Sequence, residues 1–488
     1  MSKSISDNPN GTAGNGTAGK GRKLSFKDKV FYGASGFGDS ATYTITSTFL
    51  LFFMTTMAGI QPALAGTIVA VGSLWDAITC PVFGYLSDNC HSKMGRRRPF
   101  LLAGSIPLAA TTMLLFTTFD AGIAFKAVYY VVIIIVYWSS FSCFFIPYMA
   151  FGAELTDDYD ERTVLRSFTS VSNCIGGMVG RVCPTMIVDV LCSQGFETAT
   201  SWQMTAGAIG ALSGGAILLC FFGFKGRDIP LPKDNEAPKE KFNIKKMFLD
   251  YLDVLKIKPL RILMGASIIA LMAITILNAD NLYFLTYNMG YSGTQITLVL
   301  LVGQSIGLVI PFFVNAMAKW FDKRHSFLLI IGICAILQTG FRFIEINSMP
   351  TVFVLIIVYA LCSTAYWQLM PTLLYDVGEY DEYHSGKSRI GSIMSLQSLA
   401  EAAAEAISIQ LLGIILQFAG FNGDLAQQSE TALSWIYNCL TILPAAFLII
   451  ACLFIFRYPI TRKVYNDLKQ KLADRKSQEG AAQDEDCQ

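Results

Sequence analysis

Apolar positions along this chain do not alternate with polar ones. They come in runs of about 20 residues or more, the length at which a helix crosses ~30 Å of hydrocarbon. Such runs lie near 29–57, 62–87, 99–119, 124–152, 163–191, 202–224, 259–289, 293–318, 326–344, 350–375, 388–420 and 431–456. The pattern predicts an all-α polytopic membrane protein with twelve transmembrane helices. A long polar insert, 225–258, carries Lys233, Lys239, Lys241, Lys245 and Lys246 and separates an N-terminal six-helix half (28–224) from a C-terminal one (259–457). The end segments 1–27 and 458–488 are polar. The first repeats Asn-Gly-Thr-Ala-Gly before Lys20, Arg22, Lys23 and Lys27, which predicts a disordered basic tail without a cleavable signal.

The polar positions between the runs set an orientation. Lys and Arg gather in the tails and after the second, sixth and eighth runs, while the opposite loops hold little beyond Lys126 and Arg342. Both termini and the central loop are therefore expected to be cytoplasmic, in the plasma (inner) membrane. The loops after the fourth and tenth runs repeat each other: Ile146-Pro147-Tyr148 leads to Glu154, Asp157 and Asp158, and Met370-Pro371-Thr372 leads to Asp376, Glu379, Asp381 and Arg389. Lys319-Trp320-Phe321-Asp322-Lys323-Arg324 is a worn copy of the loop after the second run. Two related halves with a solute between them near the midplane is a transporter architecture.

Composition narrows this further. With 53% hydrophobic and 15% charged residues and a mean hydropathy of +0.47, the chain is too apolar for an ordinary soluble domain. Net charge is +1 and the basic residues are confined to a few loops, so a nucleic-acid partner is not expected. The 12 cysteines are scattered through apolar runs and read as small buried hydrophobes. Metal-ligand spacing, a Gly-x-Ser-x-Gly elbow and a phosphate-cradling glycine loop are absent from the sequence. Neither an enzyme, a metal nor a cofactor is expected; the expected partners are a small-molecule substrate and the bilayer, with the chain as a monomer.

One stretch, Trp75 to Pro99, organises the rest. Asp76 lies inside the second apolar run, where a carboxylate costs ~2.5–3.5 kcal/mol on insertion scales and is functional by default. Asp88 ends the run, and Lys93, Arg96, Arg97 and Arg98 follow. Gly84-x-x-x-Asp88 … Lys93-x-Gly95-Arg96-Arg97 resembles the loop between the second and third helices of the major facilitator superfamily. Trp75-Asp76-Ala77-Ile78-x-x-Pro81 resembles the second-helix signature of its glycoside–pentoside–hexuronide cation symporters, the family of melibiose permease. Asp376-Val377-Gly378-Glu379-Tyr380 … Arg389, followed by Gln397, resembles the region between the tenth and eleventh helices of the same family. The resemblance spans nearly the whole chain apart from its tails. It implies a transporter that alternates between inward- and outward-open states.

The resemblance also implies sites. For the coupling cation it points to Asp76, with Thr79 where an asparagine is common, Cys80 in place of a second aspartate, and Ser142 as a completing hydroxyl. Hard cations take oxygen ligands, so Cys80 removes one and favours H⁺ over Na⁺ as the coupling ion. For the sugar, the family positions fall on Ser40 with Asp39 beside it, on Phe145 and Met149, on Arg166, and on Ala402 flanked by Glu401. Only the arginine is retained. Glu401 and Glu405, one turn apart, replace a family lysine with acid, which favours a neutral or cationic solute over a hexuronide; packing against neighbouring helices is their other reading. Tyr366, Trp367 and Gln368 offer aromatic faces at mid-depth, and Gln397 joins the candidate substrate residues. Gating is expected from Asp88, Lys93, Arg96 and Arg97, and from Asp376, Glu379 and Arg389. Arg181 and Asp280 either form an external gate or lie near the interface. The function expected is cation-coupled symport of a small polar solute, a sugar or glycoside. A lipid or lysolipid transporter on the same fold and a transport-inactive membrane sensor are the alternatives, and a channel fits less well because no filter-like repeat is present.

Overall fold

In hydrocarbon every backbone N–H and C=O must be paired within the segment, so apolar runs of this length fold as helices. The computed structural model describes residues 24–471, apart from 91, 93, 156–158, 226–250, 345, 387–388, 424, 426 and 469 and the side chains at 153, 159, 160, 162 and 163. Most of the basic tail 1–27, most of the insert 225–258, the last part of 458–488, and Lys93 therefore lie outside the described residues.

The N-terminal half holds α1 (Phe26–Thr56), α2 (Pro62–Asp88), α3 (Arg98–Leu115), α4 (Ile123–Glu154), α5 (Tyr159–Ser193) and α6 (Thr198–Gly223). The C-terminal half holds α7 (Lys258–Tyr283), continued by a π turn (Phe284–Asn288), then α8 (Gly293–Ile306), α9 (Ile310–Phe321), α10 (Lys323–Phe341), α11 (Met349–Ser385), α12 (Ile390–Phe418), α13 (Glu430–Leu440) and α14 (Ile442–Phe456). Two predicted runs are each split in two. Proline supplies the reason, since Pro311 cannot donate to Gly307 nor Pro444 to Leu440.

Among the described residues eleven helices, taking α8 with α9 and α13 with α14, are long and apolar enough to cross a membrane. The twelfth predicted span, α1, has 31 residues but is too rich in Gly, Ser and Thr to reach that apolarity. It is shielded by α5 and α6 rather than by lipid alone. Small residues allow that contact, as they do between membrane helices generally. A Cβ on Gly176 or Gly180 of α5 would stand 2.4 Å from the carbonyl oxygen of Phe37 or Ala41 of α1.

The helices run alternately between two ends, one carrying the α1–α2 turn and the other the α2–α3 loop. At the α1–α2 end the halves are pressed together. A Cβ on Gly413 of α12 would lie 2.3 Å from the Pro62 carbonyl oxygen, and one on Gly293 would lie 2.8 Å from that of Thr185. Side chains add to this seal: Thr55 and Tyr283 hydroxyls meet at 2.6 Å, Thr185 and Thr297 at 2.8 Å, and Thr294 donates to Asp189 at 2.6 Å. At the α2–α3 end, by contrast, each ion pair among the described residues stays within one half. Arg97 bonds Asp88 at 2.5 Å and Glu154 at 3.0 Å, and Arg96 also pairs with Glu154. Lys323 holds Asp376 at 2.7 Å, Arg389 holds Asp381 at 2.6 Å, and the Tyr465 hydroxyl donates to Glu379 at 3.2 Å.

Candidate functional site

Asp76 faces α4. Trp75 fixes the register of the two helices by donating its indole N–H to Ser139 at 2.8 Å, and Gly72, one turn before Asp76, leaves room for Ile134 and Trp138 of α4. The Ser142 hydroxyl then donates to Asp76 Oδ1 at 2.6 Å, Thr79 Oγ1 lies 2.9 Å from Ser142 Oγ, and the Cys80 thiol lies 3.5 Å from the same carboxylate. All four residues expected to serve the cation come together. The set offers one carboxylate and two hydroxyls, with sulfur where a further oxygen would complete a hard-cation shell. Among the described residues no arginine contributes: Arg166 is exposed, its guanidinium 3.5 Å from Met149 Sδ.

On α12 the two glutamates have different surroundings. Glu401 accepts from the Gln397 amide at 2.9 Å and from the Tyr366 hydroxyl at 3.3 Å, and both donors also meet Ser267 of α7, at 2.5 and 2.8 Å. This network lies within the C-terminal half. Glu405, one turn further, instead receives the Tyr43 hydroxyl of α1 across the interface between halves at 3.4 Å. Tyr43 packs edge-on against Trp138, which places α1 between the Asp76 and Glu405 clusters.

Beside Glu405 is a cavity of about 230 Å³ between the halves. Tyr43, Thr44, Ser47 and Thr48 of α1 line one wall, and Trp367, 48% exposed, lines the other. Its remaining charged residue is Arg181 of α5, which donates to Asn278 and, at 3.4 Å, to the Tyr359 hydroxyl. Those bonds join the halves just below the seal. Asp280 takes no part in them: it is fully buried, and neither of its carboxylate oxygens has a hydrogen-bond partner among the described residues. Of the two readings left open for Arg181 and Asp280, a joint gate is not what the described residues show, because Asn278 is the residue that faces Arg181.

Of the expected substrate residues, Trp367 and Glu405 line this cavity, whereas Asp39, Ser40, Phe145, Met149, Arg166, Gln397 and Glu401 do not. Depth is the reason. Arg166 precedes Arg181 by 15 residues, ~22 Å along α5 at 1.5 Å per residue, and Asp39 and Glu401 each lie one turn nearer the α2–α3 end than Tyr43 and Glu405. Phe145 stacks on Phe141 at 5.5 Å, and Tyr366 is buried in the Glu401 network, so neither presents a free ring. The hydroxyl-rich run Tyr43–Thr48 was the overlooked signal, since polar side chains inside a spanning helix seldom face lipid.

A protein-family model described as MFS/sugar transport protein matches residues 31–462. The chain belongs to this family. Its relatives in the family include symporters of the glycoside–pentoside–hexuronide type, as the second-helix motif implied. The uncharacterized symporter YnaJ of Bacillus subtilis (strain 168) is 27% identical over 460 residues, 93% of this chain and 96% of its own. The isoprimeverose transporter of Lactiplantibacillus pentosus is 25% identical over 455 residues, 92% of each chain. Among solved structures, a bacterial homolog of the human lysosomal transporter Spinster has the same fold, with TM-score 0.62 and 17% identity over 88% of this chain and 95% of that one. The chain is thus a multi-pass membrane transporter and not an enzyme.

Proposed function

We propose that this family member is a proton-coupled symporter of a small polar solute of the sugar or glycoside class. One observation carries the reading: a hydroxyl- and charge-lined cavity lies between two halves that are sealed to each other at one end, with an intramembrane acid cluster on the adjoining helix. Alternating access needs that asymmetry and its reversal. With both termini cytoplasmic in the plasma membrane, the sealed end is the outer one and the described conformation faces inward. Asp76 is assigned to coupling, binding the proton that accompanies the solute. Cys80 counts against Na⁺, because a thiol is a poor ligand for a hard cation.

The charged groups at the α2–α3 end are assigned to gating. In this conformation Arg96 and Arg97 are held by Glu154 and Asp88, Asp376 by Lys323 and Arg389 by Asp381, each pair within its own half. To close that end they exchange some of these partners for contacts across the interface, so the gate acts on rate more than on affinity. The transporter works as a monomer, since both halves of the pathway come from one chain. Counterflow of labelled sugars and glycosides into proteoliposomes tests the reading. At least one should exchange, and should accumulate under an imposed pH gradient in a protonophore-sensitive way. Accumulation driven by a Na⁺ gradient at constant pH, insensitive to protonophore, would contradict proton coupling; failure of every solute to exchange would contradict transport.

A further inference from the structure

A glutamate and an arginine, Glu405 and Arg181, line the cavity between the halves, and neither meets a group of opposite charge among the described residues. Glu405 accepts only the Tyr43 hydroxyl, and its charged neighbours are two further acids, Glu401 and Asp76. Arg181 is held by an amide oxygen and a phenol, and it lies 5.6 Å over the Tyr359 ring, with no carboxylate in its shell. Partly buried charges without partners are expensive, and they become favourable when a ligand supplies the opposite charge with good geometry. An acid and an arginine on the wall of one small cavity therefore ask for a ligand that carries both signs. A second cavity of about 240 Å³ shares Arg181, Tyr359 and Ser363 with the first, so a solute reaching Arg181 has room to extend past it.

We propose that the solute is a zwitterionic sugar derivative, its amine directed to Glu405 and its carboxylate to Arg181, with its hydroxyls against the Tyr43–Thr48 face of α1. This rests on the transporter reading and narrows its substrate class. Arg181 thereby gains a second role. The arginine that helps to join the halves above the cavity acquires its missing counter-charge when the solute arrives, so binding strengthens the closed outer end. Neutral glycosides would satisfy the hydroxyl wall and leave both charges uncompensated.

Thermal stabilisation of the purified full chain tests the proposal, because a bound ligand raises the melting temperature by mass action. The probes are methyl glucoside, glucosamine, glucuronate and muramic acid, which are neutral, cationic, anionic and zwitterionic sugars. Muramic acid should bind roughly a hundredfold tighter than methyl glucoside, the scale of two charge-assisted hydrogen bonds. Glu405→Gln should reduce muramic acid to the level of glucuronate, and Arg181→Gln should reduce it to that of glucosamine. Equal stabilisation by methyl glucoside, or no stabilisation by any probe, would overturn the proposal with the wild-type protein alone, whatever the fate of the variants. Counterflow separates the two readings. Exchange of methyl glucoside without charge preference would leave the transporter and remove the zwitterion, whereas tight muramic acid binding without exchange would do the reverse.

Discussion

Asp76 of α2 and Glu405 of α12 are both membrane acids near Tyr43, yet their surroundings differ, and the proposed function assigns them different uses. Asp76 is enclosed by short hydrogen bonds from its own half, with Ser142 at 2.6 Å and the Cys80 thiol at 3.5 Å. Glu405 has one long bond, at 3.4 Å, and that bond comes from the opposite half. An acid satisfied locally can gain or lose a proton without a ligand, whereas an acid left open to a cavity responds to what enters it. On the proposed reading, coupling and recognition are in this way divided between two acids, while Arg181 and the Tyr43–Thr48 face of α1 bring the N-terminal half into recognition as well.

This division requires that both acids serve one space closed at one end, and the seal is the place where the largest effect is expected. Gly413→Leu would push a side chain into the Pro62 carbonyl and hold the α1–α2 end apart. Transport should fall ~100-fold or more, as losing several close inter-half contacts of about 1 kcal/mol each would cause. The protein should still fold, because the clash lies between halves and not inside one. Accessibility of an Ala63→Cys thiol to a hydrophilic reagent should rise in the same variant; an inert thiol with normal transport would remove the seal from the account.

Next comes Glu405→Gln. Solute affinity should weaken roughly tenfold, the scale of a lost charge-assisted hydrogen bond, while the ratio of protons to solute stays unchanged. Loss of coupling instead of affinity would erase the difference between the two acids. Cys80→Asp sharpens the comparison from the other side, since it places a second carboxylate one turn from Asp76. Accumulation under a Na⁺ gradient should appear or rise several-fold, because oxygen replaces sulfur in the ligand set. The smallest effect is expected at the gate. Asp88→Asn removes the charge from the acceptor of the 2.5 Å bond from Arg97, a carboxylate 58% exposed, so turnover should slow by a factor of about two to five with affinity nearly intact, as for a partly exposed ion pair. A large loss of binding in equilibrium dialysis would contradict that role.

The helical passes were legible in the chain because a hydrocarbon medium leaves the backbone few alternatives, and the Asp76 cluster was legible because Asp76, Thr79 and Cys80 lie within one turn of one helix and the family resemblance is anchored on Asp76. Other features were not. The breaks before Pro311 and Pro444 look like continuous spans in a hydropathy pattern, although the prolines mark them. Glu401 and Glu405 are neighbours on one helix, and their separation into a closed network and an open cavity depends on Ser267 and Tyr366 of one half and Tyr43 of the other. Arg181 needed Asn278 and Tyr359, residues 97 and 178 positions away, before its place above the cavity could be read. Local pattern finds the membrane acids; which of them a solute can reach is decided by contacts between distant helices.

Asp76→Asn provides the most direct measurement, because the amide keeps the shape of the protonated acid and removes only the ability to exchange a proton. In proteoliposomes loaded with a transported solute, the variant should retain downhill counterflow at a rate comparable to wild type. Under an imposed pH gradient it should fail to accumulate that solute, while wild type concentrates it and loses the gain when a protonophore is added. Full accumulation by Asp76→Asn would contradict the assignment of coupling to this residue.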